Sequence, residues 1–190
     1  MFERIVEKIS YIKLILGIML SVLFLDQVSK YLAKYFLQPV HSVPVLGDFF
    51  RLTYVENPGI AFGLRIENKL IFTLLSILAI IIIFYYLFAM KDHKVLRIAF
   101  AFILGGALGN LIDRFLYGRV VDFLDFQFFD IRIPQFKILF FDFSGYSMDR
   151  WPVFNVADIA VTVGMIIILI NALFDKQHNT APSNDTVENS

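Results

Sequence analysis

Residues Leu70–Met90 read LIFTLLSILAIIIIFYYLFAM, without a single charged side chain. A helix needs roughly 20 apolar residues to cross the hydrocarbon core of a bilayer, and this stretch supplies them. In water it would leave a wide apolar surface exposed, so it places the chain in the membrane class. The composition agrees: of 190 residues, 58% are hydrophobic and 18% charged, with mean hydropathy +0.69, well beyond an ordinary soluble domain. A formal net charge of zero removes the electrostatic case for nucleic acid. The absence of cysteine excludes disulfides, a thiol nucleophile, Cys-bound zinc and iron–sulfur clusters.

Three more segments have the length and apolarity of spans, at about residues 11–33, 95–112 and 155–174. Arg4, Lys8 and Lys13 precede the apolar run Leu14–Leu25 as in a signal peptide. The next residues are Asp26-Gln27-Val28-Ser29-Lys30, with no small-residue cleavage site, so an uncleaved first span is expected. The expected fold is an all-α membrane protein of four transmembrane helices, one domain over residues 1–174, followed by a disordered polar cytoplasmic tail, 175–190. Four spans put both termini on one side. The basic linker Lys91-Asp92-His93-Lys94 and the basic flank before span one mark that side as cytoplasmic.

Two long segments then lie on the outer face. Residues 34–68 contain Phe50-Arg51-Leu52-Thr53-Tyr54, which alternates as a half-exposed strand does, and end near Pro58-Gly59, a turn signal. Residues 115–154 are rich in Phe and Tyr, with Pro134, Pro152 and Trp151, a composition suited to the headgroup level.

Elimination narrows the chemistry. The sequence holds no His-Glu-x-x-His motif, no Gly-x-Ser-x-Gly elbow and no phosphate-binding glycine loop followed by Lys. Ser29 and Lys30 are sequence neighbours and point to different sides of a helix, which argues against a Ser-Lys dyad. Carboxylates remain. Span three leaves the membrane near Asp113 and span four enters near Asn155, so Asp122 and Asp158 can meet at one outer surface. Two carboxylates in a partly desolvated site do not both ionise easily. The ionised one can take a proton from water while the protonated one polarises a carbonyl.

Each signal also has a plain structural reading. Asp26 and Lys30, spaced i, i+4, suit an ion pair at a helix end. Asp113-Arg114 suits an interfacial helix stop. Gly105, Gly106 and Gly109 suit close helix packing as well as a substrate groove. Asn155 suits an N-cap with Asp158 in the first turn. Asp125, Asp130, Asp142 and Asp149 compete with Asp122 as loop acids, and periodicity does not choose among them.

Five blocks together resemble lipoprotein signal peptidase (signal peptidase II), the bacterial aspartic membrane peptidase family. They are Asp26-Gln27-Val28-Ser29-Lys30, Asn57-Pro58-Gly59-Ile60-Ala61-Phe62-Gly63, Gly105 through Arg114, Val120-Val121-Asp122-Phe123, and Phe154-Asn155-Val156-Ala157-Asp158. They run in the family's order from about residue 11 to 174. The chain departs from the pattern at Ser29 (usually Thr), at Ile60 (commonly Ala) and in a longer stretch from Leu124 to Pro152.

The resemblance implies four helices with a small extracytoplasmic β-cradle, an interfacial loop and an active site at the outer face of the bacterial cytoplasmic membrane. It implies an endopeptidase that cuts diacylglyceryl-modified prolipoproteins just before the lipidated cysteine. Its catalytic aspartates fall on Asp122 and Asp158. Its other polar positions fall on Asp26, Lys30, Asn57, Asn110, Arg114 and Asn155, and Gly106 is expected beside them in the substrate groove. No metal and no cofactor are expected. The partners are the prolipoprotein and membrane lipids, with a monomer as the working unit. The competing readings are an ion-coupled transporter, which needs acids along a path through the bilayer, and an assembly protein whose acids merely cap helices.

Overall fold

The computed structural model describes residues 2–61, 64–65, 69–89, 93–128, 131–138, 141–143 and 146–178. In chain order these form α1 (Phe2–Leu37), β1 (Ser42–Leu46), β2 (Phe50–Asn57), β3 (Ile60–Ala61), β4 (Leu64–Arg65), α2 (Lys69–Ala89) and α3 (Lys94–Tyr117). They continue with β5 (Val120–Phe126), β6 (Ile131–Ile133), β7 (Phe136–Ile138), β8 (Phe141–Phe143), β9 (Tyr146–Met148) and α4 (Val156–His178). Phe62-Gly63, Lys91-Asp92, Ser144-Gly145 and most of the tail, 179–190, lie outside the described residues.

Among the described residues, three stretches are long and apolar enough to cross a membrane: Ser10–Leu37, Lys94–Tyr117 and Val156–Phe174. The apolar run in α2 is shorter there, Thr73–Leu87. Three helices outrun the spans expected for them: α1 reaches Leu37 rather than residue 33, α3 reaches Tyr117 rather than 112, and α4 continues past Phe174 to His178. Hydropathy windows stop at polar residues, but the backbone hydrogen bonds of a helix do not, so Asp26, Lys30, Asp113 and Arg114 sit within helix rather than at its ends.

α3 is the central helix and packs on α1, α2 and α4. Small residues make the approach close. Ala99 and Ala101 on α3 and Ala157 on α4 are fully buried. A Cβ on Gly105 would meet the Met19 carbonyl oxygen of α1 at 2.9 Å. A Cβ on Gly106 would run into the Ala157 carbonyl of α4, and one on Gly109 into the Asp26 carboxylate. The packing reading of these glycines is thus realised in the fold. The helices of the chain itself occupy that space, because contact without a side chain brings backbones together where lipid provides no hydrophobic drive. The outward faces carry large apolar residues instead, such as Leu20, Phe24, Ile81, Tyr85, Met165 and Leu169.

α3 stops at Gly118, whose φ of 69° lies in the left-handed region and whose N–H donates to the Arg114 carbonyl at 3.0 Å. Glycine takes that conformation without a Cβ penalty, and the chain reverses into β5. The main sheet is antiparallel in the order β1-β2-β5, with Val55 opposite Asp122 and Phe50 opposite Phe126. Successive side chains of β5 alternate. Val121 and Phe123 pack on Ala33 and Leu37 at the end of α1, which turns Asp122 to the other side. The outer edge of β5 is covered by residues 151–154: Leu124 and Phe154 exchange backbone hydrogen bonds at 2.8 and 3.1 Å, and Trp151 N donates to the Phe126 carbonyl at 2.9 Å. The stretch expected as an interfacial loop contains two nested strand pairs, β6 with β9 and β7 with β8.

Candidate active site

β5 delivers Asp122 and the start of α4 delivers Asp158. Asp122 is 3% exposed. Its Oδ1 accepts the Asn155 side-chain amide at 2.7 Å and its Oδ2 accepts that of Asn57 at 3.1 Å. Asp158 is likewise bonded at both oxygens. Oδ1 accepts from Asn110 Nδ2 at 2.9 Å and Oδ2 from the Asn155 backbone N–H at 3.1 Å. In return, Asn155 Oδ1 accepts the Asp158 backbone N–H at 3.0 Å. This is a capping box with Asn at the N-cap and Asp at the third helical position. The cap reading of Asn155 and Asp158 holds, and the residue that caps α4 also touches Asp122.

Burial pushes the Asp122 carboxyl up to about 7, and the nearby charge of Asp158 adds to the rise; the bonds from Asn57 and Asn155 oppose it. Asp158 sits in the first turn of α4, where the helix dipole favours an anion. Near neutrality Asp122 can therefore still hold a proton.

Beneath the pair lies a buried ionic layer. Lys30 Nζ contacts Asp26 Oδ2 at 2.9 Å, Asp113 Oδ2 at 3.1 Å and Asn110 Oδ1 at 2.8 Å, one acceptor for each of its three protons. Asp26 Oδ1 accepts the Ala157 N–H at 2.9 Å, filling one of the orphan donors at the start of α4. Asp113 Oδ2 also accepts the Val121 N–H at 3.2 Å and so holds the first turn of β5. Gln27 Nε2 bridges Asp26 at 3.1 Å and Asp113 at 3.2 Å. The Asp26–Lys30 pair is thus an ion pair, as spacing allowed, but inside the protein and joined through Asn110 to Asp158.

Of the residues expected at the site, Asn57, Asn110, Asn155, Asp122 and Asp158 come into direct contact. Asp26 and Lys30 lie one layer below. Arg114 reaches across to α2, where Nη1 donates to Ser76 Oγ at 3.2 Å, and its charge acts on Asp158, Asp122 and Asp113. Gly106 packs on α4. Among the competing acids, Asp125 is committed elsewhere, to Arg150 and Thr53. Sequence reasoning undervalued Asp113 and Gln27. Asp113 lies three residues after Asn110 on α3, the spacing of one helix face, and that signal was available.

Comparison with known proteins gives a consistent picture. The family model described as Signal peptidase (SPase) II matches residues 18–174. The chain is 46% identical over 150 residues to the lipoprotein signal peptidase of Moorella thermoacetica, covering 78% of this chain and 85% of that one. It is 38% identical over 172 residues to that of Pelodictyon phaeoclathratiforme, covering 88% and 96%. A bacterial membrane enzyme solved by the in meso method at 2.3 Å resolution superposes with a TM-score of 0.65 at 30% identity, over 94% of this chain and 95% of that chain.

Proposed function

This chain belongs to the signal peptidase II family, and on that premise we propose that it cleaves lipoprotein signal peptides by an aspartic mechanism centred on Asp122 and Asp158. The observation that carries the mechanism is the bridge made by Asn155, whose amide holds one carboxylate and whose backbone holds the other. Asp158, ionised, takes a proton from water as the oxygen attacks the scissile carbonyl. Asp122, protonated, donates to the carbonyl oxygen. Collapse of the resulting gem-diol breaks the C–N bond, returns the proton on the diol to Asp122 and passes the proton held by Asp158 to the leaving amine. General acid–base assistance of this kind contributes typically about 10²–10⁴-fold. Asn57, Asn110 and Asn155 hold the carboxylates in orientation, and Arg114 supplies positive charge where the oxyanion develops.

The substrate is the diacylglyceryl-modified prolipoprotein, cut just before its lipidated cysteine. Its acyl chains stay in membrane lipid while the bond reaches the pair. α2, with 21 residues, extends about 31 Å at 1.5 Å per residue, enough for a fourth span. Four spans and the basic linker put both termini in the cytoplasm and the pair at the outer face. One chain supplies both carboxylates and all their donors, so a monomer suffices. The segment 128–148 lies on the outer membrane surface as a lid. Intramembrane acids of a transporter would be spaced along the spans, whereas Asp26, Asp113 and Asp158 gather at one end.

The test is cleavage of a lipidated prolipoprotein in detergent by wild type, Asp122→Asn and Asp158→Asn. Loss of at least about 10³-fold in each variant is expected, as for acid–base groups that act as a unit. Retained turnover in both variants sinks the aspartic mechanism. Unchanged cleavage and binding after deletion of residues 128–148 sinks the lid.

A further inference from the structure

The mechanism leaves one buried charge on the sheet without a task. Asp125 lies on β5 beyond Asp122 and is 5% exposed. Its Oδ1 accepts Arg150 Nε at 2.6 Å and its Oδ2 accepts the Thr53 hydroxyl at 2.6 Å. Arg150 reaches further. Nη1 donates to the Asp48 carbonyl at 2.8 Å, between β1 and β2, and to Gln127 Oε1 at 3.3 Å. Nη2 donates to the Asp125 carbonyl at 3.4 Å. One guanidinium therefore ties β5 and the β1–β2 turn to the short segment that runs from Arg150 to Phe154.

That segment leads directly into Asn155 and Asp158. It lies on the edge of β5 through a few backbone hydrogen bonds at Trp151 and Phe154. So short a ladder gives the register few bonds to hold it. A slip by one residue moves the following chain about 3.3 Å and takes the Asn155 amide, now 2.7 Å from Asp122, out of hydrogen-bond range. A slip also leaves the Asp125 carboxylate buried without its partner, a state that costs far more than a lost surface contact.

We propose that Arg150 and Asp125 form a latch that fixes the register of residues 150–154 on β5, so that Asn155 and Asp158 arrive opposite Asp122. Arg150 is a positioning residue: it acts on the reaction through the segment it holds. The latch rests on Asp122 and Asp158 being the reacting pair, and the Asp122→Asn measurement tests that reading separately. Turnover retained by Asp122→Asn removes the aspartic mechanism whatever Arg150 does.

The experiment is steady-state cleavage of a lipidated prolipoprotein by the full chain in detergent. It compares Arg150→Gln, Arg150→Lys and the double variant Asp125→Asn with Arg150→Gln. Arg51→Ala is the control, since it breaks contacts to Asp48 and Ser42 on the same sheet without touching residues 150–154. Arg150→Gln is expected to lower kcat at least about tenfold with KM within about twofold. The alkaline limb of its kcat profile moves to lower pH, because Asp158 no longer stands beside Asp122. Arg150→Lys recovers part of kcat, since an ammonium reaches Asp125 but lacks the fork that also holds Asp48 and Gln127. The double variant falls no further than Arg150→Gln, as expected of two residues that act as one unit. Arg51→Ala stays within about twofold of wild type. A folded double variant with wild-type kcat and pH profile overturns the latch. Should Arg150→Gln not fold, the double variant, which leaves no unpaired buried carboxylate, carries the same test.

Discussion

Asn155 donates its side-chain amide to Asp122 at 2.7 Å from the N-cap of α4, where its side-chain oxygen accepts the Asp158 N–H. Helix capping and carboxylate positioning are thus two tasks of one side chain, and substitution can separate them. Asn155→Ala loses both and destabilises the chain by about 1 kcal/mol through the cap alone. Asn155→Ser keeps a cap oxygen but has no amide to reach Asp122. It is expected to keep wild-type thermal stability while turnover falls up to about tenfold, the worth of one hydrogen bond to a neutral carboxyl. Turnover and melting measured on the same preparations check this. A Ser variant as active as wild type removes Asn155 from the mechanism.

The raised carboxyl of Asp122 ties activity and stability to one proton, so both decline above neutrality. Its value in the fold is about 7 against an ordinary 3.8. On the proposed mechanism the proton needed by the carbonyl oxygen is lost as pH rises through about 7, so kcat is expected to fall on that limb. Stability follows the same titration, because a folded value above the unfolded one favours the native state only while the group is protonated. That contribution is complete below the unfolded value and is lost as pH rises through 7. Asp122→Asn removes the titration, so at pH 8 the variant is expected to melt roughly 5 °C higher than wild type and at pH 4 at nearly the same temperature. Equal melting points at both values contradict the assignment.

Close packing of α3 on α4 makes a paired test with two glycines. A methyl on Gly106 collides with the Ala157 carbonyl, one residue from the Asp158 N–H, whereas one on Gly17 meets nothing within 4 Å. Gly106→Ala is expected to cost about 1–3 kcal/mol by overpacking and to lower kcat by displacing the start of α4. Gly17→Ala is expected to be neutral or to stabilise by up to about 1 kcal/mol, since alanine is the better helix former. A neutral Gly106→Ala means that α4 yields more readily than its contacts suggest.

Trp151 is the single tryptophan of the chain and is 41% exposed, packed edge-on against Phe128. Its fluorescence therefore reports one place, the segment leading into α4. In bilayers of brominated lipid, bromine near the headgroups is expected to quench it more than bromine deep in the acyl chains, as for aromatics at the interface. Absence of quenching at every depth places the segment away from the membrane surface.

The helices were legible because hydropathy at the length of a bilayer is a strong signal. The strand at Phe50–Tyr54 showed through its alternation; β2 continues to Asn57 because pairing with β5 supports the polar end. The ionic layer was not legible. Spacing links Asp26 to Lys30, but nothing in the sequence brings Asp113 of α3 to the same ammonium, since that depends on how two helices are turned toward each other. Asp125 looked the equal of Asp122 for a similar reason. Alternation puts neighbours of a strand on opposite faces, and only the fold shows that Arg150 returns from 25 residues away to claim one of them.

The hydrogen bond from Ala157 N to Asp26 joins residues 131 apart in the chain. A nascent chain lacking α4 holds Asp122 on its strand with no second carboxylate, no Asn155 and an acid in α1 facing an empty groove. On the proposed mechanism, a chain truncated before α4 is expected to be inert toward every substrate already in the membrane.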